Sequence, residues 1–168
     1  MELALFVILA VIAVIAAAGV VLSKKATSSA LFLLLNFCTL AGLYILLNAQ
    51  FIAVAQVIIY AGAIVVLFLF VVMLLSPDKE EGQDRKPYTK IVAVFLAVLM
   101  LVEIGYVLFT SVLGGMPGQY TPEKIAEVGN VQAIGQVLFT DFLLPFELAS
   151  VLLLVGIVGV VVLAKREL

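Results

Sequence analysis

Long apolar runs, most of them free of charged residues, alternate along this chain with short polar stretches. A helix rises ~1.5 Å per residue, so about 20 apolar residues cross the ~30 Å hydrocarbon core of a bilayer. The pattern therefore predicts an all-α integral membrane protein. Its five transmembrane helices are expected at Leu3–Leu22, Ser28–Leu47, Phe51–Leu75, Thr89–Val112 and Phe142–Ala164.

Two of the links between these runs are very short, and two are longer. Residues 23–27 and 48–50 leave so little chain that consecutive helices must pack as antiparallel hairpins. Residues 76–88 form a polar loop opened and closed by proline, and residues 113–141 are too few for a nucleotide-binding domain. Residues 1–168 are therefore expected to form a single membrane domain. In the last link, Thr121 followed by proline and glutamate predicts a helix start, and Val128–Phe139 a short interfacial helix.

Basic residues indicate the orientation, because lysine and arginine concentrate in cytoplasmic links. With five spans, eight of the nine basic residues fall on one side, and only Lys124 falls on the other. The amino terminus is therefore expected outside and the carboxyl terminus in the cytoplasm, which makes 76–88 an inner loop and 113–141 an outer loop. The acidic start at Glu2, with Lys24 and Lys25 after the apolar run, predicts a retained first helix rather than a signal peptide.

Composition excludes several kinds of chemistry. The chain is 65% hydrophobic and 12% charged, with a net charge of −2 and no basic cluster, which argues against nucleic-acid binding. It contains no histidine and a single cysteine, so it cannot hold a bis-histidine haem, an intrachain disulfide or a cysteine-ligated iron–sulfur cluster. Cys38 lies in an apolar run, where a packing role is expected rather than reactivity.

The third run carries polar residues where lipid would favour leucine. Gln56 and Tyr60 are four residues apart and share one helix face, ~8 and ~13 Å from the start of the span, and Gly62 lies near the bilayer centre. One interpretation places this face on a hydrated seam between subunits. The alternative, which composition favours, is that the neighbouring alanines let another helix approach closely and that the polar groups hydrogen-bond to this helix. Gly62 also suggests a π-bulge, whose conversion to regular helix would rotate the rest of the span by ~100°.

Two carboxylates are further candidates for a functional site. Glu103 is the one acidic residue deep in a span, so it is either a proton-accepting station or a neutral group at a helix contact, with Tyr106 a possible neighbour. Any charged partner of Glu103 would belong to another chain, since no span contains lysine or arginine. If Pro145 begins the fifth helix, Glu147 lies in its first turn and interacts with the helix dipole.

Three segments carry a family resemblance. They are NAQFIAVAQVII at Asn48–Ile59, YAGAIVVLFLFVVMLL at Tyr60–Leu75 and NVQAIGQVLFTDFLLPFELAS at Asn130–Ser150. With five spans and short links, the chain resembles subunit J of NADH–quinone oxidoreductase (respiratory complex I), the subunit-6 family of mitochondria. Some bacterial relatives carry glutamate in place of Gln56, so a titrating role is not transferred to it. Glu103 matches no family motif, whereas Glu147 lies within a matched segment.

The resemblance implies a non-catalytic subunit of a proton-translocating enzyme in an energy-transducing membrane, most simply a bacterial inner membrane. FMN, iron–sulfur clusters and quinone would belong to the complex as a whole and none of them to this chain. Partners would be the quinone-site subunit, subunit K, the antiporter-like subunits and the bilayer. The third helix would switch between π-bulged and regular forms at Tyr60, Ala61 and Gly62, coupling quinone reduction to pumping along a hydrated path.

Two other functions remain open on sequence grounds. The chain would be a purely structural scaffold of this or a related ferredoxin-type complex if its polar groups serve only assembly. An independent transporter is a third possibility, which the absence of an internal repeat and of basic residues within the spans disfavours.

Overall fold

A computed structural model describes residues 1–75, 87–114 and 120–165. Within these ranges every regular element is helical. Nine consecutive segments are α1 Glu2–Leu22, α2 Ala26–Leu46, α3 Gln50–Ala55, a π-helical segment Gln56–Ile64, α4 Val65–Leu75, α5 Pro87–Gly114, α6 Pro122–Val128, α7 Asn130–Phe139 and α8 Leu143–Ala164.

Five helices are long and apolar enough to cross a membrane, which confirms the predicted number of spans. The third of them, Gln50–Leu75, is one continuous helix made of α3, the π-helical segment and α4. The predicted spans agree with the observed helices to within two residues at every end. The predicted inner loop, residues 76–88, lies almost wholly outside the described residues.

The first two spans form a hairpin held by close backbone approach. Ala16 and Ala30 are completely buried, and the ring of Phe32 lies directly over Gly19, where any larger residue would displace it. Small residues are common at such contacts, because lipid removes most of the hydrophobic drive for helix association and close packing must replace it.

Two polar side chains of α2 hydrogen-bond to the backbone of α1. The Asn36 amide donates from Nδ2 to the Ala13 carbonyl at 2.8 Å, and the Ser29 hydroxyl donates to the Val20 carbonyl at 2.7 Å. In an apolar surrounding, a polar side chain without such a partner would be costly to bury. Asn36 therefore fixes the register of the hairpin.

The third span packs against α2 along its whole length, through α3, the π-helical segment and α4. Asn48 turns the chain between the two helices with φ 58°, in the left-handed region that asparagine tolerates better than most residues. The link is so short that the second and third spans must run antiparallel, as predicted.

The link between the fourth and fifth spans contains two short helices, α6 and α7, close to the two helix starts that the sequence predicts. Thr121 caps α6 by accepting from the Lys124 backbone N–H, as its sequence predicts. The main-chain N–H of Glu123, helped by the Thr121 hydroxyl, lowers the pKa of the Glu123 carboxyl and keeps it charged at the positive helix end. The helix expected from Val128 begins at Asn130, because Gly129 has φ 96° and interrupts it.

The last two spans pack little or not at all against the others. Among the described residues, α5 contacts no other helix, and α8 contacts only α7. The fifth span, α8, begins at Leu143, one residue after the predicted Phe142, so the condition that Pro145 starts this helix is not met. Pro145 is its third residue, which costs no hydrogen bond because the first four N–H groups of a helix lack partners within it. Glu147 is then the fifth residue and lies beyond the first turn.

Replacing Gly19 by alanine should weaken the α1–α2 hairpin by about 1–3 kcal/mol, the usual cost of overpacking. The added methyl carbon would lie 2.6 Å from Phe32 ring carbons. Unfolding of the purified protein by sodium dodecyl sulfate, followed by circular dichroism, measures the change.

The double variant Gly19→Ala/Phe32→Ala should recover part of this loss, since it removes the ring that the methyl group meets. Gly159→Ala is the matched control, because a methyl carbon there meets no described atom within 4 Å. Equal midpoints for Gly19→Ala and the control would contradict the close approach.

Candidate functional site

The middle of the third span departs from α-helical hydrogen bonding. At its start, the Gln56 N–H donates to the Ile52 carbonyl, four residues back. At its end, the Val65 N–H donates to the Tyr60 carbonyl, five residues back. Between these points the chain is π-helical for nine residues, Gln56–Ile64. Such segments are rare and usually short, and they are frequent at functional sites.

The π-helical segment shifts the buried side of the span by one residue. The buried residues before it are Ala53 and Gln56, which in a regular helix predict Tyr60 and Ile64 as the next two. Instead Ala61 is 5% and Val65 0% exposed, whereas Tyr60 is 46% and Ile64 48% exposed. The inserted residue has therefore rotated the second half of the span relative to α2.

Gly62 lies in the π-helical segment, close to a backbone carbonyl of the preceding turn. A Cβ atom added at Gly62 would lie 3.3 Å from the Val57 carbonyl oxygen, five residues back. That distance is shorter than ordinary van der Waals contact, so a side chain would press on the acceptor of a π-type hydrogen bond. Glycine also weakens a regular helix by about 0.5–1 kcal/mol relative to alanine. Both effects favour the π form at this position.

Two side chains link the π-helical segment to its surroundings. The Tyr60 ring meets the ring of Phe37 on α2 edge to face, with 5.4 Å between centroids and 68° between planes. Gln56 is only 9% exposed, yet no described residue hydrogen-bonds its side-chain amide. Since no unpaired side-chain polar atom of the described residues is completely enclosed, the amide must reach the surface of the chain. Water or a neighbouring subunit can supply its partner there.

The predicted site residues fall into three separate places. Gln56, Tyr60, Ala61 and Gly62 all lie in the π-helical segment. Glu103 is exposed on α5, in a shallow apolar groove with no hydrogen-bonding partner among the described residues, including Tyr106.

Glu147 is also exposed, and its backbone carbonyl accepts from the Ser150 hydroxyl on α8. Neither carboxylate contacts the π-helical segment within the described part of this chain.

The single thiol, Cys38, is exposed, so it does not belong to the packed interior of the described residues. Within the three described ranges, no three histidine, cysteine, aspartate or glutamate side chains cluster as metal ligands would.

Sequence reasoning missed two residues that position this span. Phe37 is one aromatic residue in an apolar run, and nothing in the pattern distinguishes it from a lipid-facing one. Asn130 lies in the outer loop, yet its side chain hydrogen-bonds to the start of the third span. The sequence signal for Asn130 was its place as a polar residue directly after Gly129, at the first position of a short helix.

Known proteins resemble this chain along nearly all of its length. The family model for NADH-ubiquinone/plastoquinone oxidoreductase chain 6 matches residues 16–163. The NAD(P)H-quinone oxidoreductase chain 6 of a Nostoc species is 41% identical over 163 residues, covering 96% of this chain and 78% of the relative.

The names of two further relatives refer to other electron donors. The F(420)H(2) dehydrogenase subunit J of Methanosarcina mazei is 38% identical, covering 99% of this chain and 93% of the relative. The NADH-quinone oxidoreductase subunit J of Rickettsia typhi is 34% identical, covering 96% and 80%.

The names of these relatives differ in the electron donor, whereas the similarity extends through all five spans. What they share is therefore the membrane subunit itself. The chain belongs to the NADH-ubiquinone/plastoquinone oxidoreductase chain 6 family, the membrane subunits also called subunit J of NADH–quinone oxidoreductase.

Proposed function

We propose that the third span is a rotating element that conveys the state of the quinone-reducing end of the complex to its proton pumps. The observation that carries this proposal is the one-residue shift of burial, from Tyr60 and Ile64 to Ala61 and Val65. Conversion of the π-helical segment to regular helix would reverse the shift. The span beyond it would then rotate by ~100° without leaving its place.

The rotation exchanges residues of very different size at the contact with α2. Ala61 now occupies the buried position, and in the regular form Tyr60 would replace it. A tyrosine does not fit where an alanine is packed, so α2 or a neighbouring subunit must move as the span turns. The balance between the two forms consequently depends on how neighbours press on this helix. That dependence is what a coupling element requires.

The polar groups of the π-helical segment suit a hydrated path better than proton storage. Gln56 and Tyr60 can each donate and accept hydrogen bonds to water. In this proposal they line part of a water-filled connection, and titrating groups on neighbouring subunits carry the protons. The chain itself catalyses no reaction, and FMN, iron–sulfur clusters and quinone are bound by other subunits.

The exposed helices identify where partners attach. Nearly all large apolar side chains of α5 and α8 are exposed within this chain. We assign these faces to lipid and to the other membrane subunits, including the quinone-site subunit, subunit K and the antiporter-like subunits. With its amino terminus outside, the chain lies in an energy-transducing membrane such as the bacterial inner membrane.

A scaffold function is the second candidate, and the isolation of α5 favours it. A span without contacts inside its own described chain must be held by others, so this subunit joins its neighbours whatever else it does. The two functions differ in what happens when the polar groups of the third span are removed.

Gly62→Val should lower the number of protons pumped per electron in the assembled complex. The side chain presses on the Val57 carbonyl in the π form, and a cost of about 1–2 kcal/mol would shift the balance of the two forms some 5–30-fold. Proton uptake and quinone reduction by membrane vesicles, normalised to assembled complex, give the ratio.

Gly105→Val on α5 is the matched control, because its added Cβ meets no described atom within 4 Å. An unchanged ratio of protons to electrons in assembled Gly62→Val complex would refute the switch.

Tyr60→Phe and Gln56→Leu should reduce quinone-reductase turnover at least about twofold in fully assembled complex, since each removes a hydrogen-bonding group worth about 0.5–1.5 kcal/mol. Tyr60→Phe preserves the ring that meets Phe37, so its effect reports on the hydroxyl alone. Tyr44→Phe on α2 is the control for losing a phenol within a span. A scaffold subunit would instead show less assembled complex with normal turnover in each assembly.

A further inference from the structure

The Asn130 side chain connects two parts of the chain that are far apart in sequence. Its Nδ2 donates to the Asn48 carbonyl at 3.1 Å, and its Oδ1 accepts from the Phe51 backbone N–H at 3.2 Å. These bonds bridge 82 and 79 residues. One amide therefore binds both the end of the second–third link and the first turn of the third span.

The third span needs this bond because it has no cap of its own. Ala49 stands at the N-cap position and has no side-chain oxygen to accept from the first turn. The first four N–H groups of a helix find no partner within it, and Phe51 contributes one of them. Asn130 performs the function of an N-cap from a distant helix, where serine or asparagine at position 49 would usually do so.

The same helix also reaches the fifth span. Among the described residues, α7 contacts both α3 and α8, and Phe139 of α7 meets Phe146 of α8 edge to face at 5.0 Å. No other described helix connects the first three spans to α8. The Asn130 bonds thus attach the outer end of the third span to α7 and, through α7, to α8.

We propose that Asn130 is a positioning residue that holds the outer end of the third span against rotation. A helix that changes its winding in the middle must turn one half against the other. With residues 48–51 fixed to α7, the turn generated in the π-helical segment is delivered to α4, Val65–Leu75. The consequence for pumping rests on the proposed function, whereas the anchoring of Phe51 by Asn130 does not.

Asparagine suits this position because the two bonds require one donor and one acceptor. Alanine provides neither, and serine, one atom shorter, cannot reach both backbone groups. Aspartate keeps the acceptor for Phe51 but places a carboxylate oxygen against the Asn48 carbonyl. Three substitutions therefore separate the two bonds.

Hydrogen–deuterium exchange in the assembled complex tests the anchor directly. In Asn130→Ala the Phe51 amide should exchange about two- to tenfold faster, the factor that one net hydrogen bond represents. Asn130→Asp should retain protection at Phe51. Gln136→Ala is the matched control, an exposed amide two turns along the same helix that bonds to no described residue through its side chain.

The ratio of protons pumped to electrons transferred tests the positioning role. It should fall in assembled Asn130→Ala and Asn130→Ser, recover partly in Asn130→Asp, and stay unchanged in Gln136→Ala. Asn130→Ser serves in place of the alanine variant if the latter fails to assemble. Unaltered Phe51 exchange in Asn130→Ala, or in Asn130→Ser where it replaces the alanine variant, overturns the anchor. Faster exchange with a normal ratio of protons to electrons overturns the positioning role.

The two proposals fail in distinguishable ways. A normal ratio in Gly62→Val together with faster Phe51 exchange in Asn130→Ala would refute the switch at the π-helical segment and support the anchor. A lowered ratio in Gly62→Val with unaltered Phe51 exchange in Asn130→Ala would support the switch and refute the anchor.

Discussion

Backbone hydrogen bonding in a medium without water is the constraint on which this structure depends. A peptide group that loses its partner in hydrocarbon costs several kcal/mol, so a spanning helix cannot bend, break or slide freely. Exchanging bonds to the fourth residue back for bonds to the fifth leaves almost every donor and acceptor paired. The π-helical segment Gln56–Ile64 is thus one of the few places where a membrane helix can change its facing at low cost.

Packing between the helices follows from the same medium. Lipid tails are as apolar as leucine, so helices gain little by hiding leucine from lipid and gain more from close backbone contact. Among the described residues, the buried positions are accordingly six alanines, Thr39, Gln56 and Val65, and Val65 is the largest side chain that is completely buried. Contacts built from such small side chains are sensitive to one misplaced ring. Because of this sensitivity, replacing Ala61 by Tyr60 at the contact with α2 would force neighbouring helices to move.

Much of the fold was predictable because each span carries its own signal. Hydropathy and length located the five helices, and the Thr121 cap followed from local side-chain chemistry. The π-helical geometry was foreseen at Gly62 from a resemblance and from the helix-weakening character of glycine, and the segment was found there.

What sequence could not supply were contacts between distant residues. The Phe37–Tyr60 ring pair and the Asn130 bonds depend on how α2, α7 and the third span meet, which no local window records. The start of α8 at Leu143 was predicted to within one residue, but Pro145 does not mark it, because proline is tolerated anywhere in the first turn. Whether Glu103 and Glu147 take part in proton movement depends on neighbouring chains that meet exposed faces.

The third span has 26 residues, against 21 or 22 in the first, second and fifth. A π-helical segment amounts to one surplus residue within a helix, so a chain lacking one residue between Val57 and Tyr60 would present the same alanine and valine to α2 through ordinary winding. Correct alignment with a homologue of that kind requires a single-position gap inside the membrane. An ungapped alignment would compare every later residue of the helix with the wrong face.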